Sequence, residues 1–172
     1  FLKTLPEYQK KATILDALCQ AIESIWSVNS TDESLAYAKT SIKMILANIH
    51  PYLNGEEDAL ENISLAANYA GRAINISRTT APHAMCYKIT TRHGIAHGHA
   101  VAVCLSYVWR YMVEHIDDCI DPRGKEWLEK AFETLDELFY VNKNHQAVYR
   151  FFRLLKYMGV EFPKLADDED LD

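Results

Sequence analysis

The chain has 172 residues, of which 49% are hydrophobic and 24% charged, and its formal net charge at pH 7 is −6. This composition is typical of one compact globular domain and excludes a disordered chain. The negative charge argues against a nucleic-acid-binding protein, because phosphate backbones require a basic surface. No apolar run approaches the roughly 20 residues needed to span a membrane.

Helical periodicity dominates the sequence, and strand-like alternation is scarce. It predicts helices over about residues 8–27, 31–50, 56–77, 82–91, 97–115, 122–140 and 145–158. The third of these is rich in small residues, which permit close helix contacts, so we expect it to be central. The sequence therefore predicts one all-α domain over residues 1–172, a multi-helix bundle.

Residue types at the predicted helix ends support these boundaries. Ser30 and Glu33 have the spacing of a capping box, so the second helix is expected to start near Thr31. Asp121 followed by Pro122 is typical of an N-cap with proline in the first helical turn. The acidic tail, residues 167–172, is predicted to be a solvated, frayed end.

The start of the chain and its cysteines indicate a cytoplasmic fragment of a longer protein. The first residue is Phe1 rather than Met, and residues 1–11 lack the apolar core of a signal peptide. The four cysteines lie far apart in apolar helical contexts, without CxxC spacing; they are Cys19, Cys86, Cys104 and Cys119. We expect buried, reduced thiols, as in cytosolic proteins.

Asp16 and Gln20 lie four residues apart on the first predicted helix, so their side chains project from one face. That face is otherwise apolar, and a carboxylate directed into it requires a partner because an unpaired buried charge is costly. A metal ion would satisfy this requirement. The alternative is that Asp16 lies at a partly exposed helix edge and pairs with a Lys or Arg.

His83 and His97 are 14 residues apart in a stretch that holds four of the seven histidines. On one continuous helix they would lie roughly 21 Å apart, too far to share an ion. Gly94 between them allows the chain to fold back, so both imidazoles can converge on one metal. With Asp16 and Gln20 they form a candidate set of oxygen and nitrogen ligands, which suits Fe²⁺, Zn²⁺ or Mn²⁺. The alternative is that each histidine is an ordinary core residue.

Basic residues surround these histidines although the chain as a whole is negative. They are Arg72, Arg78, Lys88 and Arg92. Such a local excess of positive charge favours an anionic ligand. The alternative for each of them is an outward-facing position on a helix.

Three segments resemble the C-terminal helical domain of the iron-containing (group III) alcohol dehydrogenases: DALCQAIE, AANYAGRAIN and PHAMCYKITTRHGIAHGHAVAV. Their order and spacing fit over about residues 1–110, and the later helices are compatible but carry no motif. The resemblance implies the fold of that domain, which dehydroquinate synthase shares. It also implies an N-terminal dinucleotide-binding domain that this chain lacks, so we expect the isolated fragment to be inactive.

The resemblance also assigns residues to roles. Asp16, His83 and His97 match three metal ligands of the family. Gln20 stands where most members have a histidine as the fourth ligand. Tyr87 stands where the family has a histidine that contacts cofactor or substrate.

The implied reaction is that of an NAD(P)-dependent alcohol dehydrogenase or aldehyde reductase. A divalent metal, Fe²⁺ or Zn²⁺, polarises the aldehyde oxygen, and NAD(P)H bound mainly by the missing domain delivers hydride. Tyr87, His93 or a water relays the proton. Arg78 and Lys88 are expected to hold the anionic end of a small-molecule substrate.

Within the family, three segments resemble the phosphonoacetaldehyde reductase branch: DALCQAIESIWSVNST, TTAPHAMCYKIT and HGHAVAV. The motif of that branch includes a glutamine at the position of Gln20. HGHAVAV is also similar to a segment of dehydroquinate synthase, so a related lyase is one alternative. A metal-free helical packing or interaction module is the other. The face that meets the missing domain would be exposed and apolar, which favours homo-oligomers.

Overall fold

The structure is a computed structural model that describes residues 5–142 and 144–160. Over this part of the chain the regular structure is helical, and the predicted all-α fold is confirmed. The elements are α1 (Glu7–Trp26), α2 (Asp32–Leu53), α3 (Glu57–Ser77), α4 (Ala81–His93), α5 (His97–Glu114), a short 3₁₀ helix (Ile116–Asp118), α6 (Lys125–Leu138) and α7 (Ala147–Met158). The acidic tail lies outside the described residues.

The start of α2 differs from the prediction by one residue. Its N-cap is Thr31, whose hydroxyl accepts a hydrogen bond from the Ser34 amide at 3.2 Å, while Ser34 Oγ accepts one from the Thr31 amide at 2.9 Å. The capping box predicted for Ser30 and Glu33 is therefore wrong. The Glu33 carboxylate instead accepts a hydrogen bond from a tyrosine one turn later. The helix also continues through Pro51 to Leu53, beyond the predicted end at about residue 50.

The start of α6 was also predicted wrongly. Asp121 accepts a hydrogen bond from the Arg123 amide at 2.8 Å and pairs with the Arg123 guanidinium at 2.7 Å. These contacts close a turn instead of capping a helix, and Pro122 lies inside that turn. The helix begins three residues later, at Lys125.

The centre of the bundle is α1, which contacts α2, α3, α5 and α6. The prediction that the small-residue helix α3 would be central is wrong, since its main contacts are with α1 and α2. The small residues Ala66, Ala70 and Ala73 are fully buried and form a stripe along one face of α3. They allow α3 to approach its two neighbours closely.

Two glycines determine how α4 and α5 are placed. Gly94 ends α4 in the left-handed conformation, with φ of 63°, and its amide bonds to the Thr90 carbonyl at 3.0 Å. The chain then folds back, and α4 packs against α5. At Gly98 in α5, an added Cβ would lie 2.0 Å from the Ala12 carbonyl oxygen of α1. The backbones of α1 and α5 are therefore in direct contact.

The thiols are free, and three of the four are buried, as predicted: Cys19, Cys86 and Cys104. Burial raises the pKa of the Cys86 thiol to about 11. Cys119 is half-buried and follows the 3₁₀ helix rather than lying in an apolar helix. None of the described helices has the combination of length and hydrophobicity needed to cross a bilayer.

Candidate metal centre

Three helices bring Asp16, His83 and His97 together; we call these residues the ligand cluster. His83 Nε2 lies 3.4 Å from Asp16 Oδ1, and His97 Nε2 lies 3.7 Å from the same oxygen. One potential ligand atom from each residue lies within 4.8 Å of the others. A tetrahedral ion with bonds of about 2.0–2.2 Å holds its ligand atoms about 3.4 Å apart, so the spacing suits one small divalent ion.

The hydrogen bonding of the ligand cluster also fits a cation. Asp16 Oδ1 and His83 Nε2 are buried and have no hydrogen-bond partner among the described residues. Buried polar atoms are seldom left unpaired, because each costs about 1–3 kcal/mol. A cation between them would satisfy both. The alternative in which Asp16 pairs with a Lys or Arg is wrong within the described chain, where its ion-pair partners are the two histidines.

Gln20 lies next to the ligand cluster. Its Nε2 donates a hydrogen bond to Asp16 Oδ2 at 3.1 Å. This bond occupies one oxygen of the carboxylate and leaves Oδ1 directed at the two histidines. The position suits a residue that orients Asp16, and coordination by the Gln20 amide oxygen stays a prediction.

The ligand cluster opens to solvent beside His97. The His97 side chain is 40% exposed, and its Nδ1 lies 3.6 Å from Cys86 Sγ. The ring of Tyr87, whose residue is 64% exposed, has its centroid 5.8 Å from that of His97. A small molecule can therefore reach the cluster from this side, and Tyr87 lies at the opening.

The other predicted functional residues make no described contact with the ligand cluster. His93 ends α4 and is half-buried, Lys88 is exposed on the same helix, and Arg78 follows α3 with φ of 63°. In the described chain no hydrogen bond, ion pair or ring contact joins these three residues to the cluster, so their roles stay predictions. Arg72 packs over the Tyr37 ring of α2, with 4.0 Å from Cζ to the ring centroid.

Glu23, which is absent from the predicted site, is fully buried. Its Oε1 lies 2.5 Å from His83 Nδ1, and its Oε2 accepts hydrogen bonds from the Thr80 amide and, at 2.7 Å, from the Thr80 hydroxyl. A signal was available. Glu23 is seven residues after Asp16, so it lies two helical turns along the same face of α1.

The two carboxylates affect the protonation of His83. Burial of the ring on its own lowers the pKa of His83, but the close contact with Asp16, the hydrogen bond to Glu23 and the negative charges of both outweigh it and raise that pKa to about 9. Without a cation, His83 is therefore protonated at neutral pH. A metal ion that binds there displaces this proton.

The start of α5 is fixed by a second contact that the sequence did not reveal. The Tyr8 hydroxyl accepts a hydrogen bond from the Ala96 amide at 2.9 Å and lies 3.1 Å from His99 Nδ1. The first turn of α5 is thereby held against the start of α1. His97 lies in that turn, so this contact helps to place it.

The fold and the ligand cluster define a helical domain with a candidate site for a divalent metal. Residues 10–165 match the model of the Fe-containing alcohol dehydrogenase family, C-terminal. The chain belongs to this family and corresponds to its C-terminal domain. The family predicted from the three sequence segments is confirmed.

Individual relatives agree with this assignment. A phosphonoacetaldehyde reductase from Streptomyces viridochromogenes is 37% identical over 125 residues, which are 71% of this chain and 32% of that protein. The iron-containing alcohol dehydrogenase of Thermococcus thioreducens superposes with a TM-score of 0.82 at 26% identity, covering 97% of this chain and 42% of that one. The corresponding Thermotoga maritima protein gives 0.76 at 28% identity, covering 97% and 41%. This chain thus spans less than half the length of these relatives.

Proposed function

We propose that this chain is the metal-binding domain of an NAD(P)-dependent aldehyde reductase or alcohol dehydrogenase. The observation that carries the proposal is a pair of buried atoms, Asp16 Oδ1 and His83 Nε2, that make no hydrogen bond and lie 3.4 Å apart beside His97. In the whole protein, an N-terminal domain binds the dinucleotide. The extra length of the relatives supports this division, since the matched part is only 32% of the phosphonoacetaldehyde reductase.

When bound, a divalent ion such as Fe²⁺ or Zn²⁺ supplies Lewis-acid polarisation of a carbonyl oxygen, and NAD(P)H supplies the hydride. The ligand cluster holds the ion, and Gln20 completes the set. Tyr87 lies at the open side of the cluster, where its hydroxyl can donate a proton to the oxygen of the reduced substrate. His93 or a water is the second candidate for this transfer.

The proposed substrate is a small anionic aldehyde, phosphonoacetaldehyde. Two observations support it: the 37% identity to a phosphonoacetaldehyde reductase, and the cations on the segments that flank the cluster. Arg78 precedes the first turn of α4, and Lys88 follows Tyr87 on that helix; both are exposed and available to a phosphonate. In a metal-free packing module, Asp16 Oδ1 and His83 Nε2 would have only each other, at 3.4 Å, which is longer than a normal charge-assisted hydrogen bond, so the reductase is preferred.

Oxidation of NADH and of NADPH by the whole protein tests the proposal. We expect turnover of phosphonoacetaldehyde to exceed that of uncharged aldehydes of the same chain length, to stop on chelation of the metal and to return on addition of Fe²⁺ or Zn²⁺. Turnover that survives complete metal removal would contradict the metal-dependent mechanism. Equal turnover of charged and uncharged aldehydes would contradict the anionic substrate.

Gln20→His is expected to tighten divalent metal binding by about tenfold or more, the scale on which groups around a metal alter its affinity. The reason is that an imidazole nitrogen is a stronger ligand than an amide oxygen. Isothermal titration of the chain with Zn²⁺ measures the change, and Gln9→His, at an exposed position of α1, is the matched control. Unchanged affinity would remove Gln20 from the ligand set.

A further inference from the structure

We infer that Glu23 is a positioning residue of the metal site: its carboxylate fixes the tautomer and the orientation of His83, so that the Nε2 lone pair faces the ion. This inference rests on the proposed metal-binding function. The inference adds to that function a residue that does not touch the ion. The metal affinity depends on this residue because it orients His83.

The geometry determines which nitrogen of His83 can bind a metal. Glu23 Oε1 lies 2.5 Å from His83 Nδ1, and a carboxylate can only accept a hydrogen bond. Nδ1 must therefore carry the proton, which leaves Nε2 as the lone-pair nitrogen of a neutral ring. Nε2 is the atom that faces Asp16 Oδ1, at 3.4 Å. Histidine ligands commonly donate their second N–H to a carboxylate in this way.

The Glu23 carboxylate is itself held rigidly. Its second oxygen accepts hydrogen bonds from both the amide and the hydroxyl of Thr80, the residue that precedes α4. The Thr80 hydroxyl in turn accepts a hydrogen bond from Trp26 Nε1 at 3.0 Å. Because Glu23 is fixed from this side, it can act as a rigid acceptor for the His83 ring.

Charge gives a second reason for a carboxylate at this position. Asp16 and Glu23 place two negative charges near the His83 ring, and no Lys or Arg forms an ion pair with either in the described part of the chain. A buried charge is stable only when it is paired. One dication balances both carboxylates, so Glu23 favours a divalent over a monovalent ion at the proposed site.

Glu23→Gln distinguishes the orientation of His83 from a purely structural link between α1 and α4. If the introduced amide turns its NH₂ to His83, it donates to Nδ1 and moves the ring proton to Nε2, the ligand atom. If it turns its oxygen to His83, the NH₂ faces the Thr80 amide and two donors meet. Thr80→Val removes the Thr80 hydroxyl, with its hydrogen bonds to Glu23 and from Trp26, but keeps the bond from the Thr80 amide to Glu23 Oε2. It therefore weakens the link between α1 and α4 while the Glu23–His83 bond is retained.

The experiment is isothermal titration of the 172-residue chain with Zn²⁺, with thermal unfolding followed in parallel. We expect Glu23→Gln to weaken Zn²⁺ binding by about 10–100-fold. Thr80→Val should lower the melting temperature and weaken the affinity by less than about tenfold, because the Thr80 amide still holds the Glu23 carboxylate that bonds to His83. Glu61→Gln removes the same charge from an exposed position within α3 and should change neither quantity.

¹⁵N NMR of the Zn²⁺-loaded chain gives a signal that depends on the His83 tautomer and not on a structural link between α1 and α4. The wild-type chain and Thr80→Val should show a His83 Nδ1–H proton in a strong hydrogen bond, and Glu23→Gln should lose or shift it. If Glu23→Gln binds Zn²⁺ with wild-type affinity and keeps the His83 Nδ1–H signal, the inference about Glu23 is wrong, although the proposed function stands. The inference is also wrong if, in both variants, the loss of affinity is in proportion to the loss of melting temperature. Absence of Zn²⁺ binding by the wild-type chain would overturn the proposed function and this inference together.

Discussion

Asp16→Asn is expected to weaken binding of Zn²⁺ or Fe²⁺ to this chain by about 100-fold or more. A four-ligand zinc site has a binding free energy of roughly 10–16 kcal/mol, so each ligand contributes on the order of 3 kcal/mol. Asp16 contributes more than an equal share, because it is the negative member of the ligand cluster and both histidines face its Oδ1. The loss of its charge also leaves the cation less well neutralised.

Isothermal titration measures this loss, and circular dichroism checks that the helix content is retained. The matched control is Asp58→Asn, which removes the same charge from an exposed position in the first turn of α3 and should leave the affinity unchanged. An affinity for Asp16→Asn within threefold of the wild-type value would mean that the ion, if bound, does not use this carboxylate. The proposed site would then be wrong.

Gly98→Ala is expected to lower the free energy of unfolding by about 2 kcal/mol or more and to weaken metal binding. Two effects compete here. Alanine improves helix propensity by about 1 kcal/mol, but the new Cβ would lie 2.0 Å from the Ala12 carbonyl oxygen and 2.9 Å from Asp16 Cβ. Overpacking against such atoms costs typically 1–3 kcal/mol and more when the backbone has to move. The steric effect therefore dominates, and α5 moves away from α1.

The matched control is Gly71→Ala in α3, where an added Cβ meets nothing within 4 Å. Only the gain in helix propensity applies there, so that variant should be more stable than the wild type by about 0.5–1 kcal/mol. Chemical denaturation measures both variants. Equal stabilisation by the two substitutions would contradict the direct contact between α1 and α5. Zn²⁺ titration of Gly98→Ala then tests whether this contact sets the distance from Asp16 to His97.

The helices and the convergence of His83 with His97 could be foreseen because they depend on local patterns, while the resemblance to the family is what joins Asp16 to them. Helical periodicity predicts the elements, and one glycine at position 94 predicts the reversal that brings His83 and His97 to the same place. The Asp16–Gln20 spacing indicates a polar position on an apolar helix face. Each of these signals is contained within about 15 residues, the range over which helical periodicity can be judged from the sequence.

The features that could not be foreseen depend on partners far along the chain. Glu23 is hydrogen-bonded to Thr80 and His83, which are 57 and 60 residues away. Its spacing from Asp16 places it on the same helix face but does not identify these partners. The shifted caps have a different cause. Ser30 and Thr31 both carry hydroxyls, so either could cap the helix. Asp121 binds the guanidinium of Arg123, two residues later, and therefore does not cap α6. Which residue caps a helix depends on the relative strengths of competing hydrogen bonds, and the spacing of residues in the sequence does not determine these strengths.

The reversal at Gly94 has a consequence for the order of folding. The α2–α3 and α4–α5 pairs are hairpins between neighbouring helices, so they close short loops and are expected to form early. The contacts between α1 and α5 join residues far apart in sequence and are expected to form late. Asp16 meets the histidines only when α1 docks, so collapsed intermediates in which the two hairpins have formed should have no site. Metal affinity then reports on completion of the fold, and refolding followed by metal uptake should lag behind refolding followed by helix content.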